Sequence, residues 1–135
     1  MSLKYVTASE LAALLRDADR DRNRTVVLDV RDDDFNDLGH IRGAVNIQAW
    51  DLLSSGEAID SFVQQHLRRA TTDRLVVHCY LSMQRGPSVA GRVQERLAQL
   101  DSTELIEASD VFVLKKGFKA FFGAYRSEGD LVQLA

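Results

Sequence analysis

Four short apolar segments rich in β-branched residues recur along the chain, and longer segments with helical spacing separate them. The apolar segments are residues 25–30, 43–47, 74–79 and 111–114. They show little polar and apolar alternation, which is typical of strands buried on both faces of a parallel sheet. Apolar residues then recur every three or four positions across residues 59–67, 89–100 and 118–125, and that spacing predicts helices. The alternation predicts an α/β domain with a central, mostly parallel sheet flanked by helices.

A first helix is predicted near the N-terminus. Thr7 and Glu10 have the spacing of a capping box, in which each side chain accepts a hydrogen bond from the other residue's backbone. Downstream, the apolar residues that fall on one helical face are Leu11, Leu14, Leu15 and Ala18. The mixed charge run at residues 16–24 is interpreted as a solvated helix end followed by a loop.

Composition bounds the classes of function. The chain has 135 residues, 45% hydrophobic and 27% charged, with a formal net charge of −3, so its overall charge gives no indication of nucleic-acid binding. No segment approaches the roughly 18 apolar residues that span a bilayer, and the N-terminus lacks the features of a signal peptide. We therefore expect one domain over residues 1–135, located in the cytoplasm, with no membrane partner.

Cysteine and histidine counts limit metal and redox chemistry. The single cysteine precludes an intramolecular disulfide, and three scattered histidines do not have the spacing of a zinc site. We expect no metal and no bound cofactor.

The segment that contains the cysteine suggests a reactive site. Cys79 ends the third apolar segment, Arg85 follows after five residues, and Gly86 and Pro87 are typical of a helix start. Consecutive N–H groups in such a loop can bind an anion, helped by the helix dipole and the guanidinium, and the same groups favour a thiolate. The opposing interpretation is an inert buried thiol; the combined pattern favours the nucleophile.

The segment "VVHCYLSMQRGPSVA" resembles the H-C-x5-R-G-P motif of rhodanese-fold phosphatases of the cell-division-cycle type and of related arsenate reductases. Two further segments, "VVLDVRDDDFNDLGHIRGAVNI" and "VFVLKKGFKAFF", are similar to the N-terminal and C-terminal hallmarks of that family. The resemblance implies a rhodanese-like three-layer domain with Cys79 as nucleophile and Arg85 as oxyanion ligand. It also implies a backbone cradle, here called the oxyanion loop (residues 80–85), made of Tyr80, Leu81, Ser82, Met83, Gln84 and Arg85.

The resemblance also bears on which chemistry to expect. Sulfurtransferases of the superfamily have a loop one residue shorter, so the length here suits arsenate or phosphate. The phosphatases have acidic residues where this chain has Tyr80 and Gln84, and a second cysteine where it has Val30. These differences favour an arsenate reductase that also takes antimonate, uses glutathione and glutaredoxin as external thiols, and has secondary phosphatase activity.

Three competing functions stay open. The first is a dual-specificity or tyrosine protein phosphatase of the cell-division-cycle type. The second is a non-catalytic rhodanese binding module, and the third is a sulfurtransferase.

Several further residues receive predicted roles. His78 is expected to orient the loop by hydrogen bonding and not to transfer a proton, and Asp29 and Arg31 to form a structural ion pair. Ser82 could donate to the anion or the thiolate, or cap its own backbone. His40 is expected to stabilise a turn and His66 to pack at the edge of the core. The candidate external general acids are Asp51, Glu128 and Asp130.

Overall fold

The computed structural model describes residues 2–17 and 24–135. Within these residues the chain forms strands and α-helices, with short 3-10 turns at Asp33–Asn36 and Ala108–Asp110. The strands are β1 (Lys4–Val6), β2 (Thr25–Asp29), β3 (Gly39–Ile41), β4 (Val45–Asn46), β5 (Arg74–His78), β6 (Val111–Leu114) and β7 (Val132–Leu134). The helices are α1 (Ala8–Arg16), α2 (Ala49–Leu53), α3 (Gly56–His66), α4 (Arg85–Leu100) and α5 (Gly117–Tyr125).

The central sheet is parallel and has five strands in the order β1-β6-β5-β2-β4. β5 lies in the middle, between β6 and β2, so its carboxyl end is flanked on both sides. Val76 of β5 packs on one face of the sheet, and its neighbours Leu75 and Val77 pack on the other. Both faces are therefore buried, which explains why these strands lack polar and apolar alternation.

Helices cover the two faces in separate layers. Apolar residues of α2, α3 and α4 pack on one face of the sheet, and those of α1 and α5 pack on the other. This arrangement confirms the predicted three-layer α/β fold with a parallel sheet between helices. None of the helices in the described ranges is long and apolar enough to cross a membrane.

Most predicted elements are present. The Glu10 N–H donates to Thr7 Oγ1 at 3.1 Å and the Thr7 N–H donates to Glu10 Oε1 at 2.8 Å, which confirms the capping box. Three of the predicted strands are shorter than their apolar segments, and the second contracts to Val45–Asn46. Ala18, and the charge run from residue 18 to 23, lie outside the described residues.

Three strands and one helix were not predicted. β1 buries only one of its three residues and pairs with β6, so it has almost no apolar pattern of its own. β3 and β7 form a separate antiparallel ribbon between segments more than ninety residues apart. The five-residue α2 is too short for helical periodicity to appear in the sequence.

Candidate active site

Cys79 lies at the carboxyl edge of the sheet, between the end of β5 and the start of α4. Ligands of open parallel sheets bind at this edge. The residue is 4% exposed, and the Gly86 N–H donates a hydrogen bond to its Sγ at 3.3 Å. Since Gly86 is at the N-terminus of a 16-residue helix, the helix dipole stabilises negative charge on this sulfur.

The start of α5 anchors the oxyanion loop from one side. The Phe118 N–H donates to the Cys79 carbonyl and the Lys119 N–H to the Tyr80 carbonyl, both at 3.0 Å. Gly117 has a φ of +63°, and a Cβ at this position would overlap the Tyr80 carbonyl. These contacts hold the two carbonyls towards α5. Because a trans peptide places its N–H opposite its carbonyl, the N–H groups that follow point away from α5.

The backbone N–H groups of the oxyanion loop are available to a ligand. Among residues 2–17 and 24–135, none of the N–H groups of residues 80–85 donates to a protein acceptor. Ser82 adopts a left-handed conformation with a φ of +54°, and its buried Oγ has no hydrogen-bond partner in the same ranges. Ser82 therefore does not cap its own backbone. Unpaired donors concentrated in one loop are what a cradle for a tetrahedral oxyanion requires.

Two aspartates bind the guanidinium of Arg85. Its Nη1 donates to Asp32 Oδ1 at 3.0 Å and to Asp34 Oδ1 at 3.1 Å, and its Nη2 donates to Asp34 Oδ2 at 2.9 Å. The hydrogen bond and charge of Arg85 hold the pKa of Asp34 below its usual range, and Asp34 raises the pKa of Arg85. In the described part of the chain Nε has no partner, so the Nε and Nη2 edge of the fork stays available to an oxyanion.

Asp29 and Arg31 form a buried ion pair beneath the site. Both side chains are fully buried, and Arg31 Nη2 lies 2.8 Å from Asp29 Oδ2. Arg31 also donates to the carbonyls of Asp34 and Gly39 and lies over the Phe118 ring, with its Cζ 4.2 Å from the ring centroid. The predicted structural ion pair is confirmed, and it also joins the segment that bears Asp34 to the core.

His78 is fully buried and directly precedes Cys79 in the chain. Its Nδ1 lies 3.1 Å from the Cys79 carbonyl, and since a carbonyl only accepts, Nδ1 bears the proton. Its Nε2 lies 3.7 Å from Asp29 Oδ2 and makes no hydrogen bond in the described residues. Burial lowers the pKa of His78, despite the opposing effect of Asp29. A neutral imidazole that holds the Cys79 carbonyl fits the predicted supporting role.

The structure gives the surroundings of the three candidate general acids, whose positions the sequence left open. Glu128 and Asp130 pair with Arg16 at 2.6 and 2.7 Å, and Asp51 is exposed on α2. The carboxylates next to the predicted oxyanion ligand are those of Asp32 and Asp34, which sequence reasoning missed. The acidic run at residues 32–34, directly after the first hallmark strand, was the available indication.

The remaining histidines have packing roles. His40 stacks on Phe35 with ring centroids 4.9 Å apart, and His66 packs against Phe62 at 5.1 Å. Within residues 2–17 and 24–135, no group of three or more His, Cys, Asp or Glu side chains has an arrangement that could hold a metal ion.

Comparison with protein-family models decides the family. The rhodanese-like domain model matches residues 7–124, which include the hallmark segments, Cys79 and Arg85. The chain belongs to the rhodanese-like domain family. This assignment confirms the fold class that the three motifs predicted.

Similar proteins refine the position of this rhodanese-like chain. It is 34% identical over 119 residues to arsenate reductase 2.2 of Oryza sativa subsp. japonica, which covers 88% of the chain and 82% of that protein. The solved structure of Ygr203w, a yeast protein tyrosine phosphatase of the rhodanese family, matches with a TM-score of 0.80 and 26% identity, and covers 98% of this chain and 92% of that one. The As-Sb reductase of Leishmania major matches with a TM-score of 0.77 and 25% identity, over 94% and 81% of the two chains.

Longer phosphatases also match. Two M-phase inducer phosphatases of Xenopus laevis are 28–29% identical over 128 residues, but this rhodanese-like chain spans about a fifth of their length. The matches together place the chain in the group that contains arsenate reductases and Cdc25-type phosphatases, as its motifs predicted.

Proposed function

We propose that this protein is a cysteine-dependent arsenate reductase that uses an external thiol. The observation that carries the proposal is that Cys79 lies under a loop of unpaired N–H donors and is the only cysteine in the chain. A loop of this kind suits attack on a tetrahedral oxyanion. Without a second cysteine, the electrons that complete a reduction must come from another molecule. The similarity to proteins named arsenate reductase and As-Sb reductase supports arsenate and antimonate as substrates.

The first proposed step is attack of the Cys79 thiolate on the arsenic of arsenate. A sulfur–arsenic bond forms, and one oxygen leaves as water after protonation from solvent, while arsenic stays pentavalent. The N–H groups of the oxyanion loop and the open edge of the Arg85 guanidinium bind the remaining oxygens. They stabilise the charge that develops in the transition state.

The second proposed step transfers the electrons. A glutathione thiolate attacks Cys79 Sγ and forms a mixed disulfide, and the electron pair of the sulfur–arsenic bond moves to arsenic, which leaves as arsenite. A further thiol, from glutaredoxin or a second glutathione, attacks the mixed disulfide and releases the Cys79 thiolate. In sum, arsenate and two thiols yield arsenite, one disulfide and water.

Phosphatase activity is the second candidate function, and the similarity to the yeast tyrosine phosphatase favours it. A phosphatase has to protonate its leaving group. Asp34 lies beside Arg85, which lowers the pKa of Asp34, so this carboxylate is ionised at neutral pH and a poor proton donor. We therefore propose that hydrolysis is secondary and restricted to good leaving groups such as a nitrophenolate.

A non-catalytic binding module and a sulfurtransferase both fit the site less well. A binding module has no need for the hydrogen bond that the Gly86 N–H donates to Cys79 Sγ, or for unpaired donors around that sulfur. A sulfurtransferase of this superfamily has a loop one residue shorter. An enzyme that depends on reduced glutathione operates in a reducing compartment, which supports a cytoplasmic location.

A coupled assay tests the proposal. The purified protein is mixed with arsenate, glutathione, glutaredoxin, glutathione reductase and NADPH, and arsenate-dependent NADPH loss is compared with hydrolysis of p-nitrophenyl phosphate. We expect both activities in the wild type and neither in Cys79→Ser, since both require the thiolate. The reaction without arsenate is the blank. Brisk hydrolysis with no arsenate-dependent NADPH loss would refute the reductase assignment and favour the phosphatase.

A further inference from the structure

Three of the four lysines of the chain lie beside the oxyanion loop, in the turn between β6 and α5 and the first turn of α5. Lys115, Lys116 and Lys119 line one cavity of about 580 Å³ together with Tyr5, Leu81 and Met83. This set of six residues is here called the lysine pocket. Its volume lies within the ~300–1,000 Å³ typical of small-ligand sites.

Backbone contacts hold the lysine pocket against the oxyanion loop. The Lys115 N–H donates to the Val6 carbonyl at 2.7 Å, and the Lys119 N–H donates to the Tyr80 carbonyl at 3.0 Å. Lys116 adopts a left-handed conformation with a φ of +63°, which costs a non-glycine residue about 1 kcal/mol or more. A lysine is thus present where glycine would be favoured, at the turn that approaches the nucleophile.

The lysines of the pocket have no ion-pair partner among the described residues. In residues 2–17 and 24–135, no carboxylate forms an ion pair with Lys115, Lys116 or Lys119. The whole chain has a net charge of −3. Three unpaired ammonium groups in one cavity therefore create a positive electrostatic potential, which attracts a ligand with more than one negatively charged group.

The walls of the lysine pocket are apolar and belong partly to the oxyanion loop. Leu81 is 43% exposed and Met83 is 76% exposed, and Tyr5 is half-exposed on β1. Ser82, which separates the two loop residues, also lines the cavity and has a buried Oγ without a hydrogen-bond partner in the described residues. Ser82 is three residues from Cys79 in the chain, so the Cα atoms of these two residues lie at most ~11 Å apart. A ligand the length of a tripeptide can therefore extend from the part of the cavity that Ser82 lines to Cys79.

We propose that the lysine pocket binds the carboxylates of a small anionic peptide thiol, of the glutathione class, and so places its sulfur near Cys79. The ammonium groups pair with the carboxylates, and the apolar walls contact the peptide. This inference rests on the proposed function, because only a thiol-dependent reductase needs such a co-substrate. It adds a binding site on the side of the oxyanion loop that faces α5. Asp32 and Asp34, which bind Arg85, do not line this site.

A binding experiment tests the site without any turnover. The full-length Cys79→Ser protein is titrated with S-methylglutathione, which is unable to react, and chemical-shift changes are followed by NMR. The charge reversals Lys115→Glu and Lys119→Glu together should weaken binding at least tenfold, and Lys116→Gly should weaken it about threefold without loss of stability. The matched control is Arg92→Glu, an exposed charge reversal on α4 that should change binding less than twofold.

A kinetic experiment separates charge recognition from thiol chemistry. Arsenate reduction is measured with glutathione and with dithiothreitol, which is a neutral thiol. The double charge reversal should raise the ratio of KM for glutathione to KM for dithiothreitol at least tenfold, and Arg92→Glu should leave that ratio unchanged. An equal rise of both KM values would overturn the proposal, since it would show loss of the reaction site and not of a carboxylate site.

The two proposals fail in different ways. If the wild type reduces no arsenate with either thiol, the reductase assignment is wrong, while the S-methylglutathione titration still decides the pocket. If S-methylglutathione does not bind, or if it binds equally to the charge-reversed protein, the pocket assignment is wrong. Binding only of a glutaredoxin through these lysines would likewise overturn it in favour of a protein partner.

Discussion

Asp34 and Arg85, 51 positions apart in the sequence, form a two-point ion pair in which both carboxylate oxygens accept from the guanidinium. The pair orients the fork and also places negative charge near the proposed oxyanion site. Asp34→Asn should therefore tighten the binding of phosphate or arsenate to Cys79→Ser by about fivefold, the effect of ~1 kcal/mol of removed repulsion. In the protein that retains Cys79, Asp34→Asn should lower kcat for p-nitrophenyl phosphate about tenfold, because the guanidinium loses a carboxylate that orients it.

Asp33→Asn is the matched control for that experiment, because it removes the same charge from an exposed neighbour that does not contact Arg85 in the described structure. Calorimetric titration measures the affinity, and steady-state kinetics measure kcat. Equal effects of the two substitutions would contradict a specific role of Asp34 and indicate only a general effect of net charge.

The buried imidazole of His78 should make stability depend on pH in the mildly acidic range. Burial lowers its pKa in the folded protein, so the unfolded chain binds a proton first as the pH falls. The contribution of the neutral imidazole to the free energy of unfolding is complete at pH values above the pKa of the unfolded chain, ~6.5. At lower pH the free energy of unfolding decreases by up to about 1.4 kcal/mol per pH unit. Urea unfolding at pH 7.5 and 5.5 should show this loss in the wild type and a smaller one in His78→Phe. The same loss in both proteins would show that His78 is not its source.

Gly117 should be intolerant of any side chain. Its φ of +63° is unfavourable for other residues, and a Cβ would overlap the Tyr80 carbonyl. Gly117→Ala should lower the free energy of unfolding by about 1–3 kcal/mol and reduce activity, because the displaced carbonyl belongs to the oxyanion loop. Gly123→Ala, on the same helix with open space around the new methyl group, should stabilise the protein by up to about 1 kcal/mol. Thermal unfolding measures the stability of both variants, and the p-nitrophenyl phosphate assay measures their activity. Equal stabilities of Gly117→Ala and Gly123→Ala would contradict the close approach of Gly117 to the Tyr80 carbonyl.

The buried pair of Asp29 and Arg31 should be costly to break. Asp29→Asn leaves the Arg31 charge without its partner in the core, and a loss of about 3–5 kcal/mol is expected. Asp130→Asn, which breaks an exposed pair with Arg16, should have a much smaller effect because solvent screens exposed charges. Urea unfolding of both variants provides the comparison. Similar decreases in the free energy of unfolding of the two variants would show that burial does not determine how much an ion pair contributes to stability.

Local sequence patterns encode the parts of the fold that could be predicted. The apolar segment that ends in Cys79, the amphipathic α4 and the capping box of Thr7 and Glu10 each depend on residues within a few positions of one another. β1, β3 and β7 were missed because each is three residues long and is stabilised by a distant strand.

Some features of the candidate site could likewise be predicted from the sequence, and others could not. The residue order alone shows that one cysteine precedes Arg85 by a loop of five residues, that the chain has no second cysteine to resolve an adduct, and that a helix begins at the loop. The folded chain adds three contacts: Asp32 and Asp34 bind Arg85, α5 holds the Cys79 and Tyr80 carbonyls, and lysines from the β6–α5 turn and from α5 adjoin the loop. Spacing encodes only which residues share a strand, a turn or a helix face. Contacts between segments about 35 to 50 positions apart depend instead on the order of the strands in the sheet, which sets the loops that meet at its carboxyl edge.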